Sequence, residues 1–339
     1  YNNLGRTAAQ PASVTLANLK LDNAIVCTAG DCVATIPTAR GTFPANATMR
    51  AVALQGYFTQ TDVPGFPTTA NDIARHTRSS VKGVTGDTTR RVAVDMNKCL
   101  GCHETIEGHG GNRVDNPQVC LVCHNPNLSS SGRGADPTLI AAVLAVPTPV
   151  ATPTPTITGP WGTAGATTTV TVTQALRDTF GALDTAMGGD PLLYPEEPMN
   201  FKNLIHGLHG AARRAFPFDF VRDRGTSGVF YYDWSEVTFP GILNNCQTCH
   251  TAPAGGVSSY DTDLPANVLM TTNETTNGVT PVTRTTVLAS RGSVPNVTDV
   301  VSSPTAATCN GCHNSVAAEY HFEQMGGIIR KPRAQALGQ

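Results

Sequence analysis

Charge is scarce in this chain. Of its 339 residues, 14% are Asp, Glu, Lys or Arg, against roughly 25% in an average soluble domain. The formal balance is −2, so no basic surface exists to hold nucleic acid or an anionic membrane. Aromatic residues are only 6% of the chain, thin for a side-chain core of this size. No apolar run approaches the roughly 18 residues of a spanning helix; the longest, Leu139 to Val146, stops at Pro147. No charged-then-apolar leader follows Tyr1 and no cysteine stands at the start to carry a lipid, so a soluble, unanchored chain without a membrane span is expected. No Ser-His-Asp or phosphate-loop pattern occurs and acidic residues are sparse, which argues against an enzyme. Glycine (32) and proline (24) are plentiful, as in a loop-rich protein that takes part of its core from something other than side chains.

The ten cysteines supply that something. Eight fall in four Cys-x-x-Cys-His boxes: Cys99, Cys102 and His103; Cys120, Cys123 and His124; Cys246, Cys249 and His250; Cys309, Cys312 and His313. This box attaches c-type haem: two thiols add across the two vinyl groups and the adjoining histidine becomes the proximal ligand. The spacing of Cys99, Cys102, Cys120 and Cys123 also fits a zinc ribbon. A ribbon, however, requires no histidine after either pair, whereas all four pairs have one. Four covalent haems c are expected. Cys27 and Cys32 bracket Thr28-Ala29-Gly30-Asp31, a turn between apolar residues, and are expected to close a short hairpin with a disulfide. Both features place the protein in an oxidising compartment.

Texture divides the chain. Residues 1–95 carry no box and contain β-branched or alternating runs, Ala51 to Phe58 among them, and a hairpin is expected from Val81 through Gly86-Asp87 to Val94. A β-rich domain is read there. Residues 96–339 read as a tetrahaem domain. Within it the Ser-, Pro- and Thr-rich stretch 129–165 is expected to be a polyproline-like excursion, and Leu176, Phe180, Leu183 and Met187 are spaced for a helix over 172–187. Phe230 to Phe239 reads as a strand and 251–305 as an extended loop. The fold class is therefore mixed and loop-rich, a small N-terminal β domain followed by a haem-packed domain with few short helices and strands.

A closed electron-transfer haem needs a second axial ligand. Nine histidines leave five after the proximal four: His76, His109, His206, His209 and His321. The count suits bis-histidine ligation, and methionine is the substitute. If 199–209 is helical, His206 and His209 share a face at i and i+3 and can reach two different haems. His321 follows His313 in a helix-compatible run; eight residues rise about 12 Å, so the two cannot serve one iron. His109 precedes Gly110-Gly111, where backbone can approach a porphyrin closely. His76, in the β domain, is the odd one out: a plain structural histidine, a distal ligand in cis, or one donated in trans to a neighbouring copy.

The stretches KCLGCHETIEGHGGNRVDNPQVCLVCHNPN, MNFKNLIHGLHGA, YYDWSEVTFPGILNNCQTCH and ATCNGCHNSVAAEYHFEQMGG, with ALQGYFTQ in the first domain, resemble the multihaem outer-surface cytochromes of the OmcA/MtrC type. The similarity covers roughly 50–127 and 198–327. It implies an exported protein, at the outer surface or extracellular with the periplasm as second choice, carrying low-spin bis-histidine haems. It implies electron transfer to external acceptors or other cytochromes. A homo-oligomer is expected, in its furthest form a conducting filament. The rival reading is a reductase of a small oxyanion or sulfur compound, which needs an iron with an open position.

Overall fold

Short elements joined by tight turns are what a chain with this much glycine and proline can build. The computed structural model describes residues 11–43, 45–60, 64, 73–134, 137–161, 166–187, 197–223, 229–251, 269–273, 277–280, 284–290 and 293–338. They form two compact units, divided between Cys123 and His124. The compositional change lies earlier, at Asp95.

The first unit opens with helix α1 (Leu16–Leu21), capped by the Thr15 hydroxyl, which accepts from Asn18 N. Strands β1 (Ile25–Thr28) and β2 (Asp31–Ala34) form the expected hairpin, with Cys27 opposite Cys32 and the disulfide closed. The run from Ala51 splits into β3 (Ala51–Leu54) and β4 (Tyr57–Gln60), which pair with β6 (Ser80–Gly83) and β5 (Ile73–His76) as a two-stranded ribbon. The hairpin expected within 81–94 does not form, because β6 pairs with β3. The turn after β6 is captured by the segment before β3: Thr88 N donates to Thr48 O, and Arg50 donates to the Asp87 carboxylate from its backbone N (2.8 Å), Nε (2.8 Å) and Nη2 (2.7 Å). Helix α2 (Met96–Cys99), capped by Asp95, leads into the first box. The small hairpin β7 (Glu107–Gly108) and β8 (Arg113–Val114) and helix α3 (Pro117–Cys123) complete the unit. Ser79 ties the ribbon to this segment: its N donates to Val114 O, and its hydroxyl accepts from Val114 N.

Among the described residues the second unit holds three small cores. Helix α4 (Pro137–Leu144), strands β9 (Thr156–Trp161) and β10 (Ala166–Thr171) and helix α5 (Gln174–Met187) gather Leu139, Val143, Val172 and Phe180, all fully buried. The polyproline excursion expected over 129–165 is thus corrected. Leu139, Ile140 and Val143 recur at helical spacing and bury against Phe180, so α4 forms, and among the described residues of this stretch 130–134 and 145–155 lie outside helix and strand. Helix α6 (Phe201–Gly210) and strands β11 (Asp219–Asp223) and β12 (Val229–Asp233) pack on Leu128, Met199 and Phe218. The strand expected to run to Phe239 ends at Asp233, whose carboxylate accepts Ser235 N and starts a turn. Much of the loop expected over 251–305 lies outside the described residues. The parts inside hold strand β13 (Met270–Asn273), helix α7 (Arg284–Ser290) and strand β14 (Val300–Ser302). Helices α8 (Pro304–Asn310) and α9 (Val316–Gln324), strand β15 (Lys331–Pro332) and helix α10 (Arg333–Leu337) finish the chain. Strands β13, β14 and β15 form one sheet over Leu269, Val301 and Ala336, closed by a two-pronged Arg333–Asp299 pair at 2.9 Å on each prong.

The Arg50–Asp87 clamp has a pH signature. Its hydrogen bonds hold the Asp87 carboxyl down to about 2, below the roughly 3.9 of an unfolded aspartate. The clamp's contribution to stability is therefore complete above about pH 4 and is lost as pH falls through about 2. Chemical denaturation of wild type and Asp87→Asn should show a gap that is constant near neutrality and closes between pH 4 and 2. A gap independent of pH would show that Asp87 does not act through its charge.

Candidate functional site

The boxes share one local geometry. In the first, third and fourth, the carbonyl of the leading cysteine accepts from both the second cysteine and the histidine. These bonds are Cys102 N and His103 N to Cys99 O (3.1 and 3.0 Å), Cys249 N and His250 N to Cys246 O (3.2 and 3.0 Å), and Cys312 N and His313 N to Cys309 O (3.1 and 2.8 Å). Cys120 and Cys123 of the second box sit in the last turn of α3. A single helical turn sets two thiols three residues apart with the imidazole immediately after, the donor set that covalent haem requires. None of the eight box cysteines forms a disulfide. Among the described residues no three His, Cys, Asp or Glu side chains are gathered to hold a metal ion.

Helix α6 is where the boxes of the second unit meet. Its N-cap is Asn200, whose carboxamide oxygen accepts from Asn203 N. Beside that cap, His124 of the second box donates from Nδ1 to Met199 O (2.7 Å), and its own carbonyl accepts from Phe201 N (3.0 Å). Further along, the His206 ring faces that of His250, the histidine of the third box, with centroids 6.3 Å apart and planes 17° from parallel. Two imidazoles ligating one metal from opposite sides, each with a metal–nitrogen bond of about 2 Å, lie about 6 Å apart between ring centres. Burial, then the neighbouring His250, Lys202 and His209, holds His206 down to about 4, so the ring is neutral, the form that ligates metal. Its Nδ1 is buried with no hydrogen-bond partner. His209 donates from Nδ1 to Ile205 O (2.9 Å) and meets Phe239 edge-on. Donation of Nδ1–H to a backbone carbonyl, as in His124 and His209, fixes the tautomer and leaves Nε2 for a metal.

Helix α6 also presses on the fourth box. A methyl group at Gly311 would lie 2.6 Å from His206 Cβ, and one at Gly210 would lie 3.0 Å from Cys312 Sγ. Gly311 must be glycine for the helix to lie this close, and a side chain at Gly210 would crowd the Cys312 thiol. Asn203, buried, donates from Nδ2 to Ala307 O in α8 (3.1 Å) and accepts at Oδ1 from Asn200 Nδ2 (2.7 Å). Lys202 Nζ donates to Pro304 O (3.0 Å). Losing such a buried amide partner costs about 1–3 kcal/mol, so α6 and α8 are fixed together. Burial pushes the Cys312 thiol up, with Arg214 pulling it back and Cys309 and Cys246 adding to the rise. The third and fourth boxes are thus within electrostatic reach of each other.

The remaining histidines take less central places. His109, on the turn between β7 and β8, adopts a left-handed backbone (φ 56°). His76, at the end of β5 and opposite Tyr57 in the ribbon, lies against Gly111. A methyl there would meet its ring at 2.9 Å. The histidine that stands apart in sequence is therefore in the same unit as the first box and next to the turn that carries His109. His321 lies on the last turn of α9. The single helix expected to join it to His313 is corrected: Ser315 caps α9, accepting from Ala318 N, so His313 lies outside that helix.

Sequence reasoning missed four contributors, Asn203, Gly311, Glu197 and Arg214. Asn200 and Asn203 at an i, i+3 spacing just before the helix carry a capping signal. Nothing local marks the others, whose partners are about 100 and 17 residues away.

Gly311→Ala should force α6 off the fourth box at a cost of about 1–3 kcal/mol in chemical unfolding. The same replacement at Gly83, where the added atom meets nothing closer than 3.9 Å, should lack that clash. Equal costs at the two sites would refute the close-approach argument.

A family profile described as outer membrane cytochrome MtrC/MtrF-like, domains II/IV, matches residues 91–338. No curated protein and no solved structure matches the chain. The profile spans all four boxes, helix α6 and the histidines from His103 onward. No helix among the described residues is long and apolar enough to cross a membrane. The chain belongs to the outer membrane cytochromes of the MtrC/MtrF-like family, multihaem c-type electron carriers of the outer surface or extracellular space.

Proposed function

We propose that this chain is a tetrahaem carrier whose haems are low-spin and bis-histidine ligated, passing electrons to other cytochromes or to extracellular acceptors. The observation that carries the reading is the pair His206–His250, two nearly parallel imidazoles 6.3 Å apart beside the third box. Haem, when bound, supplies a reversible one-electron iron couple.

The protein's own groups do the rest. Cys99 and Cys102, Cys120 and Cys123, Cys246 and Cys249, and Cys309 and Cys312 hold four haems c covalently. His103, His124, His250 and His313 ligate from the proximal side. His206 ligates opposite His250, and His109, His209 and His321 serve the other three. Carbonyls of Met199 and Ile205 hold the His124 and His209 rings in one tautomer and orientation. Helix α6, shared by the third and fourth boxes, fixes their spacing and so the ease of exchange between them. His76 is the fifth spare histidine. Its position against Gly111 suits a ligand in cis near the first box, and in a homo-oligomer or filament it would be the one to donate to a neighbouring copy. A reductase would require an iron without a distal side chain, and five spare histidines for four boxes favour the carrier.

Two measurements test this. A pyridine haemochrome assay should return four haems per chain, and fewer would defeat the tetrahaem reading. Electron paramagnetic resonance of oxidised His206→Ala should show one haem turned high-spin while covalent attachment is kept. A variant with every haem still low-spin would remove His206 from the ligand set.

A further inference from the structure

Arg214 is an almost completely buried cation whose role neither the fold nor the ligation explains. Its side chain is 5% exposed. One prong reaches the fourth box, where Nη1 donates to Gly311 O between Cys309 and Cys312 (3.0 Å); Nε donates to Phe216 O (3.1 Å) and Nη2 to Glu197 Oε1 (3.3 Å). The guanidinium lies over the face of Phe218, 5.2 Å from its centre. Asn314, next to His313, holds the same segment by accepting from Ala215 N and Phe216 N and donating to Phe216 O. The charge is therefore locked against the attachment turn.

A buried charge needs a counter-charge, and Glu197 is the obvious one. Burial, however, pushes its carboxyl up to about 8, with Arg214 opposing and Asp219 adding to the rise. Near neutral pH Glu197 therefore mostly keeps its proton, and the Arg214 charge is left largely uncancelled by it. Asp219 is a second buried carboxylate in the group and accepts from Tyr231 Oη at 2.5 Å. Arg330, felt by both Glu197 and Arg214, is itself paired with Glu319.

We propose that Arg214 sets the reduction potential of the haem attached at Cys309 and Cys312, holding it above the value that site would have without the cation. Reduction adds one electron to the site, takes no proton and lowers its charge by one unit. A fixed positive charge in a poorly screened interior favours the reduced form. The electron comes from a neighbouring haem or cytochrome, the partners this family already implies. An elevated site would draw electrons toward the fourth box from the third, to which α6 binds it. The inference rests on the tetrahaem reading.

Redox titration of the holoprotein, followed haem by haem, tests it. Haem count and spin state of each variant are taken first, since a shortfall in wild type counts against the tetrahaem reading and not against Arg214. With four low-spin haems present, Arg214→Gln should shift one haem about tenfold toward the oxidised form, a fall of about 59 mV for one electron. The other three should be unmoved. Arg214→Lys, which keeps the charge, should recover at least half of the shift. If the Gln variant loads fewer than four haems, Arg214→Met serves in its place. Unchanged potentials in the neutral variant, or equal shifts in the neutral and Lys variants, would overturn the proposal.

Discussion

The contact on which the second unit depends is the approach of helix α6 to the fourth attachment turn. Helices with ordinary side chains at the crossing pack 8–10 Å apart, about as far as those side chains require. Gly210 and Gly311 remove the side chains at this crossing, so His206 Cβ lies against Gly311 and Cys312 Sγ against the backbone at Gly210. Asn203 locks the closeness with a buried hydrogen bond to Ala307 O. A helix of ten residues would be marginal alone. Here it is held at the N-terminus by the Asn200 cap and the His124 contacts, and along its length by Phe218 and α8.

That placement gives the histidines their chemistry. Metal ligation by imidazole needs a neutral ring, a fixed tautomer and a fixed direction. The interior supplies the first at His206 by burial, and the backbone supplies the second at His124 and His209 through the Met199 and Ile205 carbonyls. Because His124 grips the start of α6, the third box faces its middle and the fourth lies along its side, one short helix relates the third and fourth attachment turns. Electron exchange weakens steeply with separation, so a rigid spacer of this kind suits a carrier.

Much of this was legible in the sequence because its signals are local. A Cys-x-x-Cys-His box is five consecutive residues and folds as one turn wherever it is placed. The Cys27–Cys32 hairpin is closed by residues five apart, and Phe180 and Leu176 mark α5 by spacing alone. The helical reading of His206 and His209 was open for the same reason. The misreadings came from competition at a distance. Val81 to Val94 carries a hairpin pattern, but Arg50, 37 residues from Asp87, takes the turn's carboxylate and diverts the strand to β3. The 129–165 stretch is rich in proline and threonine overall, yet Leu139, Ile140 and Val143 find Phe180 and make a helix within it. His76 looked isolated because only the β4–β5 pairing brings it beside Gly111. Arg214 had no sequence signal, since its meaning lies in Gly311, almost a hundred residues away.

The central claim is that α6 carries a distal ligand for the third box while lying against the fourth. Locating the irons by anomalous scattering in crystals of the holoprotein tests this most directly. The account predicts four iron positions, one of them between His206 and His250. An iron at the third box with any side chain other than His206 opposite His250 would contradict it.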